Sequence, residues 1–277
     1  MRRYQQALKN LPSDFKRMFG VTPETFWKMV QVVRDEKQGS RGSYSKLSIP
    51  DQILLTLQYW REYRTLFHIA QDWGVHESTA QRIVKRIENM LIKSQTFSLP
   101  SKREICQSET EIEVVIIDVA ETEIERPKKK QKQYYSGKQK CHTLKMQLLI
   151  NQRTLEIICA ATRKGKEHDF RIFKESKIKA VPRIEVIADK GYQGIKNYHK
   201  RSKTPHKKPR NGKLNPEQKR ENRSLSQVRI KVEHIIRFLK IFRILSSRYR
   251  NRRKRFGLRV NLIAGIYNYE LKIARLS

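Results

Sequence analysis

Two apolar runs place the strongest constraint on what this chain can fold into. They are EVVIIDVAE at residues 113–121 and RIEVIAD at residues 183–189. A strand with one face in water alternates apolar and polar residues, whereas consecutive apolar residues are typical of a strand buried on both faces. The sequence therefore predicts a sheet covered by helices. The apolar stretch of each run ends on an aspartate, Asp118 in the first and Asp189 in the second, and a buried carboxylate needs a partner.

The segments around these runs predict a mixed α/β domain over residues 101–277. TLKMQLLIN and LEIICAATR, joined by the turn QRT, have the pattern of a hairpin, and HDFRIFKESKI has that of a helix. Residues 200–224 are basic and contain Pro and Gly, which predicts a connection before a long helix at about 225–245. A last helix is predicted in GLRVNLIAGIYNYELKIA. This order indicates a mixed sheet with helices packed on its faces.

Residues 1–100 predict a separate, all-helical domain. Thr22 followed by Pro23 is a typical helix start, and apolar residues then recur at helical spacing. At about residues 65–90, a short helix reaches Gly74 and a second helix restarts near Ser78, which is the pattern of a helix-turn-helix. The composition changes near Leu99–Pro100–Ser101, and we place the domain boundary there.

The second helix of this motif carries polar and basic residues on the side away from its partner. Such side chains suit phosphates and base edges, and we expect them to contact DNA: Ser78, Thr79, Gln81, Arg82, Lys85 and Arg86. The alternative is a helical hairpin with a solvated basic face.

The charge of the chain favours the DNA-binding interpretation. The sequence holds 61 Lys and Arg against 27 Asp and Glu, a net charge of +34, and a compact domain with that charge repels itself unless a polyanion neutralises it. Nucleic acid is the expected partner. A membrane surface is the competing polyanion, but no stretch reaches the roughly 18 apolar residues of a spanning helix. The three cysteines form no CxxC pair, and they fit a reducing, cytoplasmic location.

A third acid stands out in the most basic part of the chain. Between Lys200 and Arg255 there are 21 Lys and Arg and only three acids, one of which is Glu233 on the predicted long helix. A salt bridge to Arg229 or Arg237 would explain it simply. Alternatively, Glu233 converges with Asp118 and Asp189, and three ionised carboxylates would then require cations. Hard divalent ions such as Mg²⁺ fit such ligands, and two of them would activate a nucleophile and stabilise a leaving oxygen at a phosphodiester.

Three segments of the chain resemble a known enzyme family. VIIDVAETEIERP, IADKGYQG and SQVRIKVEHIIRFLK are similar to the three acid-bearing segments of the DDE transposases of bacterial insertion sequences, in particular the insertion-sequence-five family related to the Harbinger transposases. The third segment matches the pattern Arg-x3-Glu-x6-Lys at Arg229, Glu233 and Lys240. It has Ser226 where the family has a Tyr, and the first segment has Ala120 where a Gly is frequent.

The resemblance implies a fold and an activity. It implies an RNase H-like mixed five-stranded sheet flanked by helices, with a short fifth strand around residues 204–207. It also implies binding to the terminal inverted repeats of the element, cleavage with two Mg²⁺ ions, for which Mn²⁺ can substitute, and joining of the 3′-hydroxyl ends to target DNA. A homodimer on paired ends and a place at the bacterial nucleoid follow from the same resemblance.

The resemblance also suggests roles for residues. Asp118 would bridge both ions, and Asp189 and Glu233 would each complete one. Further DNA contacts are expected from basic side chains in the second domain: Lys138, Lys140, Lys208, Arg229 and Lys240. Near the site, Asp169 is interpreted first as a helix cap and His168 as a satisfied polar residue, with support of the site as the second interpretation. Gly191 and Tyr192 belong to the turn after Asp189.

Two other functions remain open at this level. A domesticated, non-catalytic DNA-binding protein would need only the helix-turn-helix. A related metal-dependent DNA endonuclease would cut without joining ends.

Overall fold

The computed structural model describes residues 3–38, 45–176, 178, 180–209 and 211–276. Within them the chain forms two compact units. The first contains the chain up to Ser98 and two C-terminal segments, and the second contains the remainder. The C-terminal segments of the first unit are Leu239–Ser247 and the chain from Leu258 onward, and the second unit consists of Leu99–Phe238 and Arg248–Gly257. The domain boundary at residue 100 stays a prediction, because compact units need not be folding domains.

Six helices form the N-terminal part of the first unit. They are α1 (Arg3–Ala7), α2 (Pro12–Phe19), α3 (Pro23–Lys37), α4 (Ile49–Glu62), α5 (Leu66–Trp73) and α6 (Glu77–Lys93). As the sequence predicts, Thr22 caps α3, because its hydroxyl accepts a hydrogen bond from the Thr25 N–H at 3.3 Å. Ser48 caps α4 in the same way, with the Asp51 N–H at 3.3 Å. These caps satisfy backbone donors that would otherwise lack a partner.

Helices α5 and α6 form the predicted helix-turn-helix. Gly74 ends α5 with a φ of +61°, a left-handed conformation that glycine adopts without strain. Ala70 and Ala80 are fully buried where the two helices meet, and Ile83 packs beside them with 2% of its surface exposed. Small residues at this contact allow the close approach of the two helices.

Two C-terminal helices belong wholly or partly to the first unit. They are α9 (Arg243–Ser246) and the part of α10 (Lys254–Leu276) that follows Leu258. Glu270 of α10 accepts a hydrogen bond from the Thr22 N–H at 2.6 Å. Gly265 lets α10 approach the chain at Phe97, because a Cβ atom at residue 265 would lie 1.8 Å from the Phe97 carbonyl oxygen.

The second unit is built on a mixed sheet. Its strands are β1 (Val114–Glu123), β2 (Tyr135–Ser136), β3 (Cys141–Asn151), β4 (Ile157–Lys164), β5 (Glu185–Ala188) and β6 (Ser202–Lys203). The order across the sheet is β4-β3-β1-β5-β6, and β2 adds a two-residue pairing to the end of β3. The β1, β3 and β4 strands are antiparallel neighbours, whereas β1, β5 and β6 run parallel. The RNase H-like mixed sheet is confirmed.

One face of this sheet carries a large apolar core. Val115 and Ile117 of β1 and Val186 and Ala188 of β5 point into it, and α7 (Asp169–Glu175) contributes Phe173. Because side chains alternate along a strand, Asp118 of β1 points to the opposite face.

The long helix, α8 (Pro216–Lys240), begins nine residues before its predicted start at 225 and ends before 245. The reason is a capping box. The Asn215 side chain accepts a hydrogen bond from the Gln218 N–H at 2.7 Å, and the Gln218 side chain accepts one from the Asn215 N–H at 3.1 Å. Pro216 then takes the first helical position, where its missing N–H costs nothing. Nine of the 25 residues in the predicted connection at 200–224 are therefore helical, and Arg210 lies outside the described residues.

The short fifth strand of the sheet, β6, lies at Ser202–Lys203 rather than at 204–207. Pro205 has no N–H to donate to a neighbouring strand, which ends the pairing. The next N–H, that of His206, donates to the side chain of Asn222 on α8 at 2.7 Å.

Of the helices formed by the described residues, none combines the length and the apolarity that a bilayer crossing requires.

The close approach at Gly265 predicts a specific loss of stability. Gly265→Ala should lower the free energy of unfolding by about 1–3 kcal/mol, because the added methyl group meets backbone that cannot rotate away. Thermal unfolding followed by circular dichroism measures the change. Gly137→Ala is the matched control, since nothing lies within 4 Å of a Cβ atom there. Equal unfolding midpoints for the two variants would contradict the close approach.

Candidate active site

The two predicted aspartates lie side by side. Strands β1 and β5 are parallel neighbours, with Ile117 paired to Ala188. The residue that follows each of these two, Asp118 and Asp189, therefore falls at the same edge of the sheet. Each carboxylate accepts a hydrogen bond from the backbone N–H that follows it, Val119 for Asp118 at 2.9 Å and Lys190 for Asp189 at 2.6 Å. The sheet register alone thus brings two acids together that are 71 positions apart in the sequence.

Arg229 of α8 contacts both aspartates. Its guanidinium nitrogens lie 3.1 Å from an Asp189 oxygen and 3.7 Å from an Asp118 oxygen. The Arg229 side chain is largely buried, and its Nε has no hydrogen-bond partner within the part of the chain that is described. A single cation therefore compensates two carboxylates, in a geometry that leaves one of its own donors unused.

Burial raises the pKa of the Asp118 carboxyl above its usual range, and repulsion from Asp189 and Glu233 raises it further. The Arg229 charge and the Val119 N–H oppose this rise in pKa. Asp118 thus interacts electrostatically with both of the other predicted acids, Asp189 and Glu233.

Glu233 is less closely engaged than the two aspartates. It is exposed on α8, and it makes no ion pair with any described residue, so neither of the simple salt bridges to Arg229 or Arg237 is formed. No three His, Cys, Asp or Glu side chains in the described ranges lie close enough together to hold a metal ion. The structure brings Asp118, Asp189 and Arg229 into contact and leaves Glu233 beside them. The metal-binding role of the three acids stays a prediction.

The turn after Asp189 is held rigidly. Tyr192 is 1% exposed, and its hydroxyl accepts a hydrogen bond from the side-chain amide of Gln147 on β3 at 2.8 Å. Burial raises the pKa of Tyr192 far above its usual value, so this hydroxyl stays protonated. Gly191 packs closely against α7, because a Cβ atom at this position would lie 3.3 Å from an Asp169 oxygen. Both residues of this turn position the backbone that carries Asp189.

A buried ion cluster lies on the sheet face opposite to Asp118. The Lys145 Nζ on β3 lies 2.7 Å from Asp169 and 3.8 Å from Glu121, and Thr143 donates a hydrogen bond to Glu121 at 2.6 Å. Lys145 and Glu121 are not among the residues that the sequence motifs predict for the site. The signal was present, because a lysine inside the apolar strand TLKMQLLI requires a buried partner.

The interpretation of Asp169 as a helix cap is wrong. His168 occupies the N-cap position of α7, without a capping hydrogen bond from its side chain, and Asp169 is the first residue of the helix. The Asp169 carboxylate is used by Lys145 instead. His168 is exposed, and no described residue pairs with its side chain.

The predicted DNA-contact residues fall into two groups. In the first unit, Ser78, Gln81, Arg82 and Lys85 are exposed on α6, Thr79 is half-buried, and half-buried Arg86 donates a hydrogen bond to Gln52 at 2.8 Å. Lys240 also belongs to the first unit. In the second unit, Lys138, Lys140 and Lys208 are exposed.

The two tyrosines of the basic loop before β3 differ in environment. Tyr134 lies between two cations, with Arg253 4.6 Å and Lys164 5.9 Å from its ring centre. Tyr135 is 44% exposed. Packing therefore accounts for Tyr134, and only Tyr135 is open to stacking on a base.

The buried ion cluster makes a testable prediction. Lys145→Met should lower the free energy of unfolding by about 3 kcal/mol, because Glu121 would keep its charge in a buried site without the cation and half-buried Asp169 would lose its partner. Denaturant unfolding followed by circular dichroism measures this. Lys166→Met, at an exposed lysine, should leave stability nearly unchanged. If both variants unfold at the same denaturant concentration, the ion pairs of Lys145 do not contribute about 3 kcal/mol to the free energy of unfolding.

Comparisons with known proteins identify the family of this chain. Residues 117–268 match the family described as DDE superfamily endonuclease, and residues 45–96 match the helix-turn-helix of DDE superfamily endonuclease. The first match begins one residue before Asp118 and spans Asp189 and Glu233. The second spans α4, α5 and α6.

Two relatives have insertion-sequence names. A protein of Microchaete diplosiphon, described as "Probable transposase for insertion sequence element IS702", is 56% identical over 97% of this chain and 98% of its own. A protein of Streptomyces albus G, with a similarly provisional transposase name for insertion sequence element IS112, is 28% identical over 84% of this chain and 86% of its own. This chain therefore belongs to the bacterial insertion-sequence transposases, enzymes that join a helix-turn-helix to a DDE superfamily endonuclease.

Proposed function

We propose that this transposase binds the terminal inverted repeats of its own insertion sequence, cleaves DNA phosphodiesters there with two Mg²⁺ ions, and joins the 3′-hydroxyl ends to target DNA. DNA binding and endonuclease chemistry follow from the family. The finer steps are supported by the names of both relatives, which connect them to insertion sequence elements. The observation that carries the proposal is the pairing of Asp118 and Asp189 at one sheet edge beside Glu233.

Asp118, Asp189 and Glu233 are the residues that would hold the ions. Enzymes of this superfamily generally depend on divalent metals. Two carboxylates that already share one cation, Arg229, offer the oxygen donors that Mg²⁺ prefers, and Mn²⁺ accepts the same donors. When bound, such ions activate the attacking water or hydroxyl and stabilise the leaving oxygen.

The residues of the chain itself supply position and charge. The β1–β5 register and the locked turn at Gly191 and Tyr192 fix the two aspartates. Arg229 neutralises them while no substrate is present, and it is placed to contact the DNA backbone once the acids have other partners. A fixed constellation of this kind lowers the cost of arranging reactive groups around the phosphodiester.

Binding of the inverted repeats is assigned to α6. Its exposed face presents a serine, a glutamine and two cations, which can reach both phosphates and base edges: Ser78, Gln81, Arg82 and Lys85. Thr79 stands half-buried at the edge of this face, and Arg86 would first have to release Gln52. The basic residues Lys138, Lys140 and Lys208 of the second unit, and Lys240, would contact phosphates without reading sequence.

A homodimer on the two element ends is part of the proposal. Two ends must be processed in a coordinated way for joining, and two copies of one chain supply two sets of acids. The non-catalytic alternative is set aside because the chain belongs to an endonuclease family. An endonuclease that cuts without joining would give cleaved ends and no joined products, so the products separate the two activities.

Removing one acid at a time tests the active-site assignment. Asp118→Asn, Asp189→Asn and Glu233→Gln should each lower the rate of cleavage of labelled element ends in Mg²⁺ by about a thousandfold or more. All three should retain DNA affinity in a gel-shift assay, because the loss of a negative charge does not weaken binding to phosphates. Glu217→Gln, at another acid of α8, is the control and should cleave normally. Full cleavage by any of the three variants would remove that residue from the site.

Arg229 provides a test that does not depend on activity. In Arg229→Gln the two aspartates lose their shared cation, so the unfolding midpoint in chelator should fall. Added Mg²⁺ should then raise the midpoint more in this variant than in the wild type, because the ion no longer competes with a guanidinium. Thermal unfolding with and without Mg²⁺ measures both effects. Equal Mg²⁺-dependent shifts in the two proteins would show that the ion does not bind between these carboxylates.

A further inference from the structure

A cavity of about 730 Å³ opens in the second unit. Three segments line it: the turn at Gln193–Lys196, the end of β6 with the chain to Lys207, and one side of α8 at Glu221, Ser224 and Leu225. Its volume falls within the range of about 300–1,000 Å³ that small-molecule sites occupy.

The cavity lies at the same sheet edge as the acids. Strands β1, β5 and β6 are parallel, so Asp118, Asp189 and the chain after Lys203 all emerge where these strands end. Ligands of open α/β sheets bind at this edge. On α8, Leu225 is one turn before Arg229, a rise of about 6 Å along the helix axis. A group in this cavity is therefore a near neighbour of whatever the carboxylates act on.

The walls of the cavity are rigid and partly apolar. Ile195, Pro205 and Leu225 are buried and form an apolar surface. Asn222 fixes the chain at His206 to α8 with two hydrogen bonds, accepting from the His206 N–H at 2.7 Å and donating to the His206 carbonyl at 3.2 Å. The apolar part of this wall suits a group that is larger and less polar than a lone phosphate ion.

The polar groups of the cavity match a nucleotide. The imidazole of His206 is held by the Glu221 carboxylate, which leaves a fixed planar ring against which a base can stack. Lys196 and Lys207 are exposed at the cavity and form no ion pair with any described residue, so both are free to bind phosphate. Thr204 and Gln193 supply hydrogen-bonding groups for base edges.

We propose that this cavity receives one unpaired nucleotide of the DNA, next to the phosphodiester that the carboxylates act on. The base of this nucleotide packs against four residues: Ile195, Pro205, Leu225 and His206. The phosphates on either side of the nucleotide contact Lys196 and Lys207. The inference rests on the proposed function, since it assumes that Asp118 and Asp189 are at the reacting phosphate. Unstacking one base costs little beside a cleavage site that must be distorted, and a pocket that accepts the base recovers that cost.

The test uses DNA ends with 2-aminopurine at successive positions around the cleavage site, because this base becomes bright when it leaves the helical stack. The protein carries Asp118→Asn so that the DNA stays intact. Binding should raise the fluorescence at one position beside the scissile phosphate. Adding Ser224→Trp, which fills the cavity from its rim, should abolish most of that increase and weaken binding of the ends by about tenfold or less.

Gln227→Trp is the matched control. It places the same side chain at an exposed position one turn along α8 that does not line the cavity, and it should keep the fluorescence increase. Circular dichroism verifies that both tryptophan variants are folded. His206→Ala, which removes the ring and keeps the backbone clamp, should reduce the increase without filling the space.

The outcomes separate the inference from the proposed function. If the wild-type protein fails to cleave the ends at all, the proposed function fails and the inference fails with it. If the wild-type protein cleaves but no position brightens, or if the increase persists in Ser224→Trp, the nucleotide site is overturned and the function stands. A change in oligomeric state with Ser224→Trp, at unaltered fluorescence, would identify the cavity as a contact between copies of this chain and also overturn the inference.

Discussion

The parallel pairing of β1 with β5 is the constraint on which the candidate site depends. Hydrogen bonds between the two strands fix Ile117 opposite Ala188, and the following residues, Asp118 and Asp189, cannot then avoid each other. Two neighbouring carboxylates repel each other and need a cation. Arg229 of α8 meets this need. Strand register and electrostatics are thus coupled at one place.

Each face of the sheet carries two carboxylates that share one cation. On the α7 side, Lys145 lies between Glu121 and Asp169, and this cluster is the less exposed of the two. On the α8 side, Arg229 lies between Asp118 and Asp189, and its Nε donor has no partner among the described residues. The less exposed cluster stabilises the unit. The more exposed cluster can exchange its cation for a metal or a substrate contact, which is what an enzyme site requires.

Helix α8 carries, in order along its length, the contacts to the chain after β6, one wall of the cavity, Arg229 and Glu233. The capping box at Asn215 makes the helix begin before Glu221 and Asn222, so both residues are helical. From this position, Asn222 holds the chain that follows β6. One turn later come Leu225 and the cavity, and one turn after that Arg229 and then Glu233. If the helix began at residue 225, the clamp and one wall of the cavity would be lost. The net charge of the chain, +34, favours binding to the phosphates of DNA, which the acids at the site oppose.

The sequence by itself determined the strands that are buried on both faces, the helix-turn-helix and the family, because each leaves a local pattern of apolar spacing, caps or motifs. The three acids were named from the same motifs, and their role in metal binding stays a prediction. The sequence also contains the start of α8, because Asn215, Pro216 and Gln218 form a helix-start pattern. The basic composition around these residues instead favours a connection, which is why the predicted start at 225 is too late. Only the tertiary structure decided that Arg229 contacts the aspartates while Glu233 forms no ion pair with a described residue, and that Lys145 joins Asp169 to Glu121. It also decided that a cavity opens between the chain after β5 and β6 and one side of α8. Periodicity tells which face of an element is buried, whereas the partner across space depends on how faces distant in sequence meet.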